Sequence, residues 1–287
     1  MAPTSPTVAG WELVLRIRQR VNELGLTSRQ IQKTLGIGPT YWSQITNYKG
    51  VLTENKLAAL ADLLEFPAEQ RRELLELRGL AKERGWWNRY STLFDEGTLR
   101  YLGLEAGATH LKSYESSVIP ALLQTEDYIR ALMTSSVAAR PTEAEELVRA
   151  RLERQQRLRG EEPVLLSVVL GQAALMQQVG GVEVQRAQLR YLVSAIEDLA
   201  ATVDVRVIPF EVDTAAAVNA ATFTVLEFAS PRLPTIGRLE SATWSELIEE
   251  SRVVEQLKYQ YLRARSSALE MADSVALIEQ IERGLTG

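Results

Sequence analysis

"LTSRQIQKTLGIGPTYWSQITNYKG", residues 26–50, decides how the first third of this chain is read. Thr27 or Ser28 can cap a short helix, "SRQIQKTL", in which Ile31 and Leu35 stand four apart on one face. Gly36 makes a tight turn. Pro39 suits the first position of the next helix, because its missing N–H would be unpaired there in any case. In that helix Trp42 and Ile45 form the apolar pair, which leaves Thr40, Tyr41, Ser43, Gln44 and Asn47 facing outward. Upstream, Val14, Ile17, Val21 and Leu24 make one apolar helical stripe, with Arg16 and Arg20 off it and Gly25 as its stop. Downstream, Leu57, Leu60, Ala61 and Leu64 share a face, and "PAEQRRELLELRGLAKER" (67–84) reads as a fifth helix.

Five short helices with a glycine turn between the second and third resemble the lambda-repressor-like (XRE-type) helix-turn-helix arrangement. That resemblance implies that residues 39–47 enter the major groove of double-stranded DNA. Thr40, Tyr41, Ser43 and Gln44 would then lie nearest the base edges, with Asn47 on the same side. Gln44 suits adenine N6/N7, and the hydroxyls suit base or phosphate. Arg29, Lys33 and Lys49 would touch phosphates, which position without reading sequence. Three positions depart from the family's usual pattern: Gln32 replaces a small alanine, Thr46 a glutamate, and Ser28 a glutamine. A homodimer on a palindromic operator is expected, since one short helix reads few base pairs.

Charge supports a two-part chain. Residues 1–50 carry six basic and two acidic side chains, a net +4, whereas the 287-residue whole is −5, leaving −9 beyond residue 50. A basic head on an acidic body is what a DNA-reading module joined to another domain would show. No stretch approaches the roughly 20 apolar residues of a membrane helix. "MAPTSPTVAG" (1–10) lacks the pattern of a signal peptide and reads as a disordered tail. Absence of cysteine excludes disulfides and thiolate ligands, and fits a cytoplasmic location. With His110 the single histidine, a His-rich metal site or a Ser-His-Asp triad is improbable, and no cofactor is expected.

Beyond residue 84 the pattern changes. "PVLLSVVL" (163–170), "VDVRVIPF" (203–210), "ATFTVLEF" (221–228) and "PTIGRLES" (234–241) are short β-type runs edged by turn residues. Helical patterns cover 143–159 and 183–201, then "SELIEESRVVEQLKYQYLRARSSAL" (245–269) and "SVALIEQIERGL" (274–285). The fold class is therefore mainly α: a five-helix lambda-repressor-like helix-turn-helix domain over 11–80, then a larger, helical α+β domain around a small β-sheet over 81–287, assigned to effector or partner binding.

"YLGLEAGATHLKSYESSVIPALLQTEDYIRALM" (101–133) resembles the signature of actinobacterial antitoxin-like regulators, which couple a lambda-repressor-like head to a large C-terminal domain. "RLERQQRL" (151–158), "QQVGG" (177–181), "AQLRYL" (187–192), "VRVIPF" (205–210) and "FTVLEF" (223–228) are further matches. Ala121, Gln172 and the alanine-rich "VDTAAAVNAATF" (212–223) depart from it. The resemblance implies a small partner protein encoded nearby. Candidate ligand or partner contacts are Trp86, Trp87, Glu105, Gln124, Arg151, Arg154, Glu227 and Glu240. Trp86 and Trp87 also suit a clamp between head and body, and Arg151, Arg154 and Gln155 match the family's "R..RQ". The expected function is an antitoxin-like DNA-binding transcriptional regulator whose C-terminal domain senses a small partner protein or a small-molecule effector. Two alternatives stay open: an enzyme using Glu105, Glu227 or Glu240 for acid–base chemistry above a degenerate helix-turn-helix, and a protein-interaction module alone.

Overall fold

In the computed structural model of the chain, residues 5–135, 140–212, 221–241 and 244–286 are described. The head is built from α1 (Pro6–Glu23), α2 (Ser28–Leu35), α3 (Pro39–Thr46), α4 (Glu54–Leu63) and α5 (Ala68–Ala81). α1 starts inside the stretch expected to be a disordered tail. Ser5 caps it, its hydroxyl accepting the Val8 N–H at 3.1 Å, and Pro6 occupies the first turn, where no N–H is needed. The serine and proline that suggested disorder are a helix start. Thr27 caps α2, paired with Gln30 in a reciprocal capping box, and Gly36 closes it at φ +59°, a conformation that suits glycine.

Leu13 and Ile17 of α1 pack with Ile31, Leu35, Trp42, Ile45, Leu57 and Leu60 to form the head core. Thr46 hydrogen-bonds back to the Trp42 carbonyl at 3.1 Å, so it does not tether α3 from its side chain. Arg18 makes that tether instead, donating to the Thr46 carbonyl and, at 2.9 Å, to the Tyr48 hydroxyl.

A 3-10 turn (Trp86–Tyr90) leads into the body, with α6 (Glu96–Gly107), β1 (His110–Glu115), α7 (Glu126–Ser135), α8 (Ala144–Arg154), β2 (Leu165–Gly171), α9 (Gln172–Met176) and α10 (Val182–Asp198). β3 (Val203–Ile208), β4 (Thr222–Glu227), β5 (Ile236–Glu240), β6 (Ser245–Ile248), α11 (Ser251–Ser266) and α12 (Met271–Gly284) complete it. The sheet order is β3-β2-β1-β4-β5-β6; β1, β2 and β3 run parallel, and the remaining pairs are antiparallel. The expected α+β fold with a small sheet is what forms. Two strands were not foreseen. β1 carries polar residues on both faces, and β6 occupies the start of the stretch expected to be helical from 245, so that helix begins at Ser251. Residues 213–220 of the alanine-rich stretch lie outside the described residues.

One face of the sheet packs on α11 through Tyr114, Val169, Phe223, Leu257 and Tyr261. The other holds the main core, where Leu111, Leu166, Val168 and Leu226 meet Leu189 and Leu192 of α10 and Leu104 of α6. Val8 and Trp11 of α1 belong to this core, and Trp11 is 1% exposed with its ring edge-on to Phe228 at 5.3 Å. α1 therefore serves two cores. Its start lies against α6 at two glycines: a Cβ on Gly103 would stand 2.5 Å from Thr7 Cβ, and one on Gly107 2.6 Å from Val8 Cγ2. The Ser5 hydroxyl donates to the Gly103 carbonyl at the same seam.

Gly103→Ala is expected to lower stability by about 1–3 kcal/mol through overpacking. Gly97→Ala, in the same helix but with only Asp95 Oδ1 at 3.5 Å, is expected to be neutral or slightly stabilising. Urea denaturation of both variants checks this; equal effects would contradict the close packing of α1 on α6.

Candidate functional site

Two regions of the molecule gather exposed or unpaired polar groups. The first is the outer side of α2 and α3. Arg29, Lys33, Thr40, Ser43, Gln44, Asn47 and Lys49 are all exposed, while Trp42 and Ile45 anchor α3 from behind. Asn47 donates to the Ser43 hydroxyl at 3.1 Å, and Tyr41, half-buried, stacks beneath the Lys56 ammonium at 5.6 Å. Among the described residues, Arg29, Lys33, Thr40 and Gln44 have no side-chain partner. Lys49 does: it pairs with Glu96 of α6 at 2.6 Å. Tyr48 next to it, at φ +63°, faces the Arg18 guanidinium at 5.1 Å and Arg100 of α6 at 4.8 Å. The end of α3 is thus joined to the body through α6.

The second region is a cavity of about 650 Å³ between α6, α8, the 116–124 loop and the sheet face of β1, β4 and β5. Strand register explains its lining. Ser113 of β1 lies opposite Thr224 of β4, and Thr224 opposite Arg238 of β5, so these side chains share one face with Glu115 and Glu240. Tyr101 and Glu105, four apart on α6, and Arg151 and Arg154, three apart on α8, close the cavity from above.

Glu105 and Arg154 form a buried two-point ion pair, with Arg154 Nε to Oε1 at 2.5 Å and Nη2 to Oε2 at 2.6 Å. The Tyr101 hydroxyl donates to Glu105 at 2.6 Å and accepts from Arg154 at 2.9 Å. Burial opposes the charge on Arg154, but Glu105 and then Tyr101 outweigh it and hold the guanidinium above its ordinary value. Burial, followed by the Glu105 charge, pushes the Tyr101 phenol up. Arg238 is 7% exposed; its guanidinium lies 3.8 Å from the Tyr101 ring centre and pairs with Glu240 at 2.7 Å. Its Nε is buried with no hydrogen-bond partner among the described residues.

Arg151 is different. It donates to the Gln124 side-chain oxygen at 2.9 Å and has no carboxylate within 4 Å among the described residues. Burial and the neighbouring Arg154 lower it to about 10, which leaves it charged at neutral pH. Glu115 accepts from the Ser113 hydroxyl at 2.7 Å, and burial pushes its carboxyl up to about 7.

These positions sort the expected site residues. Glu105, Gln124, Arg151, Arg154 and Glu240 meet in one place. Gln124 also ties its own loop, donating to the Ile119 carbonyl at 2.6 Å, while Gln155 donates to the Ala121 and Gln124 carbonyls. Glu227 does not join them. Strand parity puts it beside Lys112 on the opposite sheet face, paired at 2.6 Å. His110 shares that face; its Nε2 lies 2.9 Å from the Ser167 hydroxyl, and burial, then Lys112, lower its pKa. Trp87 is buried in the main core and Trp86 sits edge-on to it at 5.9 Å, and neither lines the cavity. Glu115, Ser113 and Arg238 were missed. Arg238, a charge at a strand position in "TIGRLES", was the one visible signal for them.

Residues 98–280 match a family described as a domain of unknown function, DUF5753. The chain belongs to the DUF5753 family. Residues 12–74 match a helix-turn-helix domain, which takes in α2 and α3 whole. The DUF5753 portion opens in α6 and runs into α12, so every cavity residue named here falls within it. No curated protein and no solved structure matches the chain. Among the described residues, no helix is long and apolar enough to cross a membrane.

Glu115 has a pH consequence. Its carboxyl rises from 4.5 to about 7 on folding, so between those values the folded chain keeps a proton that the unfolded chain has released. Stability therefore falls as pH rises through that window, by up to about 3 kcal/mol at 1.36 kcal/mol per unit. Glu115→Gln is expected to lack this loss. Urea melts from pH 4 to 8 check it, and parallel curves for the two proteins would contradict the assignment.

Proposed function

We propose that the chain is a DNA-binding transcriptional regulator, antitoxin-like in organisation, whose C-terminal domain senses a small partner protein or a small molecule. One observation carries this reading: α3 is locked from behind by Trp42, Ile45 and the Arg18 tether while Thr40, Ser43 and Gln44 stand exposed on its outer side. A rigid helix with a free polar face suits readout in the major groove. Gln44 and Thr40 read bases; Arg29 and Lys33 hold phosphates. Homodimers binding a palindromic operator would double a contact set that is short for one subunit. The partner-sensing role is supported by α6, which carries Glu96 and Arg100 toward the end of α3 and Tyr101 and Glu105 toward the cavity. A shift of α6 on binding would alter how Lys49 is held and so how α3 meets DNA.

An enzyme built on Glu105, Glu227 and Glu240 is less well supported, because Glu105 is neutralised by Arg154 and Glu227 is on the other face of the sheet. An interaction module alone gives no use to the free row on α3.

The test is binding to DNA from the chain's own upstream region, against scrambled DNA, over a salt series. Specific binding is expected to weaken steeply with salt. Gln44→Ala is expected to lose about 1–3 kcal/mol of discrimination at one base pair, and Lys33→Ala to weaken all sequences alike and lower the salt slope by about one. Equal affinity for scrambled DNA would overturn the reading.

A further inference from the structure

Three guanidinium groups, Arg151, Arg154 and Arg238, form the wall between the 650 Å³ inner cavity and an outer cleft of about 330 Å³ that opens beside Trp244. Three carboxylates line the same space: two offset arginines directly, while Glu115, hydrogen-bonded to Ser113, is pushed up to about 7 by burial and so keeps its proton about half the time at neutral pH. Glu105 is taken by Arg154, and Glu240 by Arg238. Among the described residues, the positive charge on Arg151 has only the neutral Gln124 oxygen as a partner. A guanidinium in such surroundings is costly to leave without an anion, because burial weakens its hydration. Arg238 adds a buried Nε that has no acceptor among the described residues. The same cavity also has an apolar lining, in which Val118 and Leu132 are partly exposed and Leu111, Leu122 and Leu166 lie behind, nearly buried.

We infer that the inner cavity binds a small organic monocarboxylate with an apolar body, its carboxylate on Arg151 and its body against the cavity's apolar lining, of which Val118 and Leu132 are partly exposed. This deepens the sensing role proposed for the C-terminal domain and rests on that reading for its regulatory meaning, though not for binding itself. Several features select the class. A volume of 650 Å³ suits a molecule of drug-like size, since ligand cavities run from about 300 to 1,000 Å³. One arginine without a carboxylate partner matches a monoanion; a dianionic phosphate would bring a second negative charge close to Glu105, Glu115 and Glu240. Arginine also offers the two parallel donors that a carboxylate accepts. Glu115 and Ser113, on the sheet side of the cavity, offer a hydrogen-bonding pair to a hydroxyl or amide on the ligand's body. Bound carboxylate would draw on Arg151 and the adjoining Arg154–Glu105–Tyr101 set, and so act on α6.

The experiment is isothermal titration of the full chain, without DNA, with decanoate and 2-naphthoate and with the matching neutral amides, decanamide and 2-naphthamide. At least one acid is expected to bind and to raise the melting temperature, with its amide at least tenfold weaker. Arg151→Gln is expected to weaken the acid at least tenfold and to leave the amide unchanged. Acid and amide binding alike, neither acid binding, or full acid affinity in Arg151→Gln would overturn the proposal. If that variant does not fold, the acid–amide contrast on the unaltered chain still decides. Because DNA is absent, a negative result here leaves the DNA-reading proposal standing, and a failure of DNA binding leaves this one standing.

Discussion

Helix α1 is buried on two sides, and most of the architecture depends on that. Leu13 and Ile17 complete the head core, while Val8 and Trp11 complete the core of the body. A helix that serves both cannot move with one domain alone. Removing a fully buried tryptophan costs about 3–5 kcal/mol, so Trp11 represents a large share of what joins the two parts. The join is tightened where Ser5, Thr7 and Val8 lie on Gly103 and Gly107 of α6, a contact that only glycine permits.

α6 inherits the consequence. It is held by α1 on one side, and on others it presents Glu96 and Arg100 to the end of α3 and Tyr101 and Glu105 to the cavity. Within twelve residues, one helix touches the shared helix α1, the residues just past α3 and the buried charge cluster. Coupling between two sites needs an element that both can bias. α6 contacts the segment just past α3 through the Lys49–Glu96 ion pair and the Arg100–Tyr48 ring contact, and the cavity through the buried Glu105–Arg154 pair.

Much of this was legible in the sequence, and the failures have physical reasons. The helix-turn-helix was readable because Gly36 and Pro39 fix the turn, and Ile31, Leu35, Trp42 and Ile45 keep helical spacing around it. β2 to β5 were readable from short β-branched or apolar runs edged by turn residues. β1 was hidden because its inner face is polar: Ser113 and Glu115 line a cavity where a core strand would carry apolar side chains. β6 was hidden at the edge of the sheet, where Ser245 and Glu246 are exposed and helix-compatible. Ser5 and Pro6 were read as part of a tail, though Ser5 caps α1 and Pro6 is its first residue. Glu105, Gln124, Arg151, Arg154 and Glu240 were found as separate candidates, and Glu227 was grouped with them because one-letter patterns do not state which face of a strand a residue takes. Only the register places it opposite.

The most direct measurement of the central claim is hydrogen–deuterium exchange of the full chain with and without DNA from its own upstream region. The account predicts slowed exchange over residues 39–49, the α3 segment, and altered exchange over 96–107, the α6 segment, with β2 and β3 unchanged. No change over 39–49 under conditions where DNA is bound would contradict it. Protection confined to 39–49, with α6 unaffected, would keep α3 as the DNA-binding element and remove α6 as the link to the body.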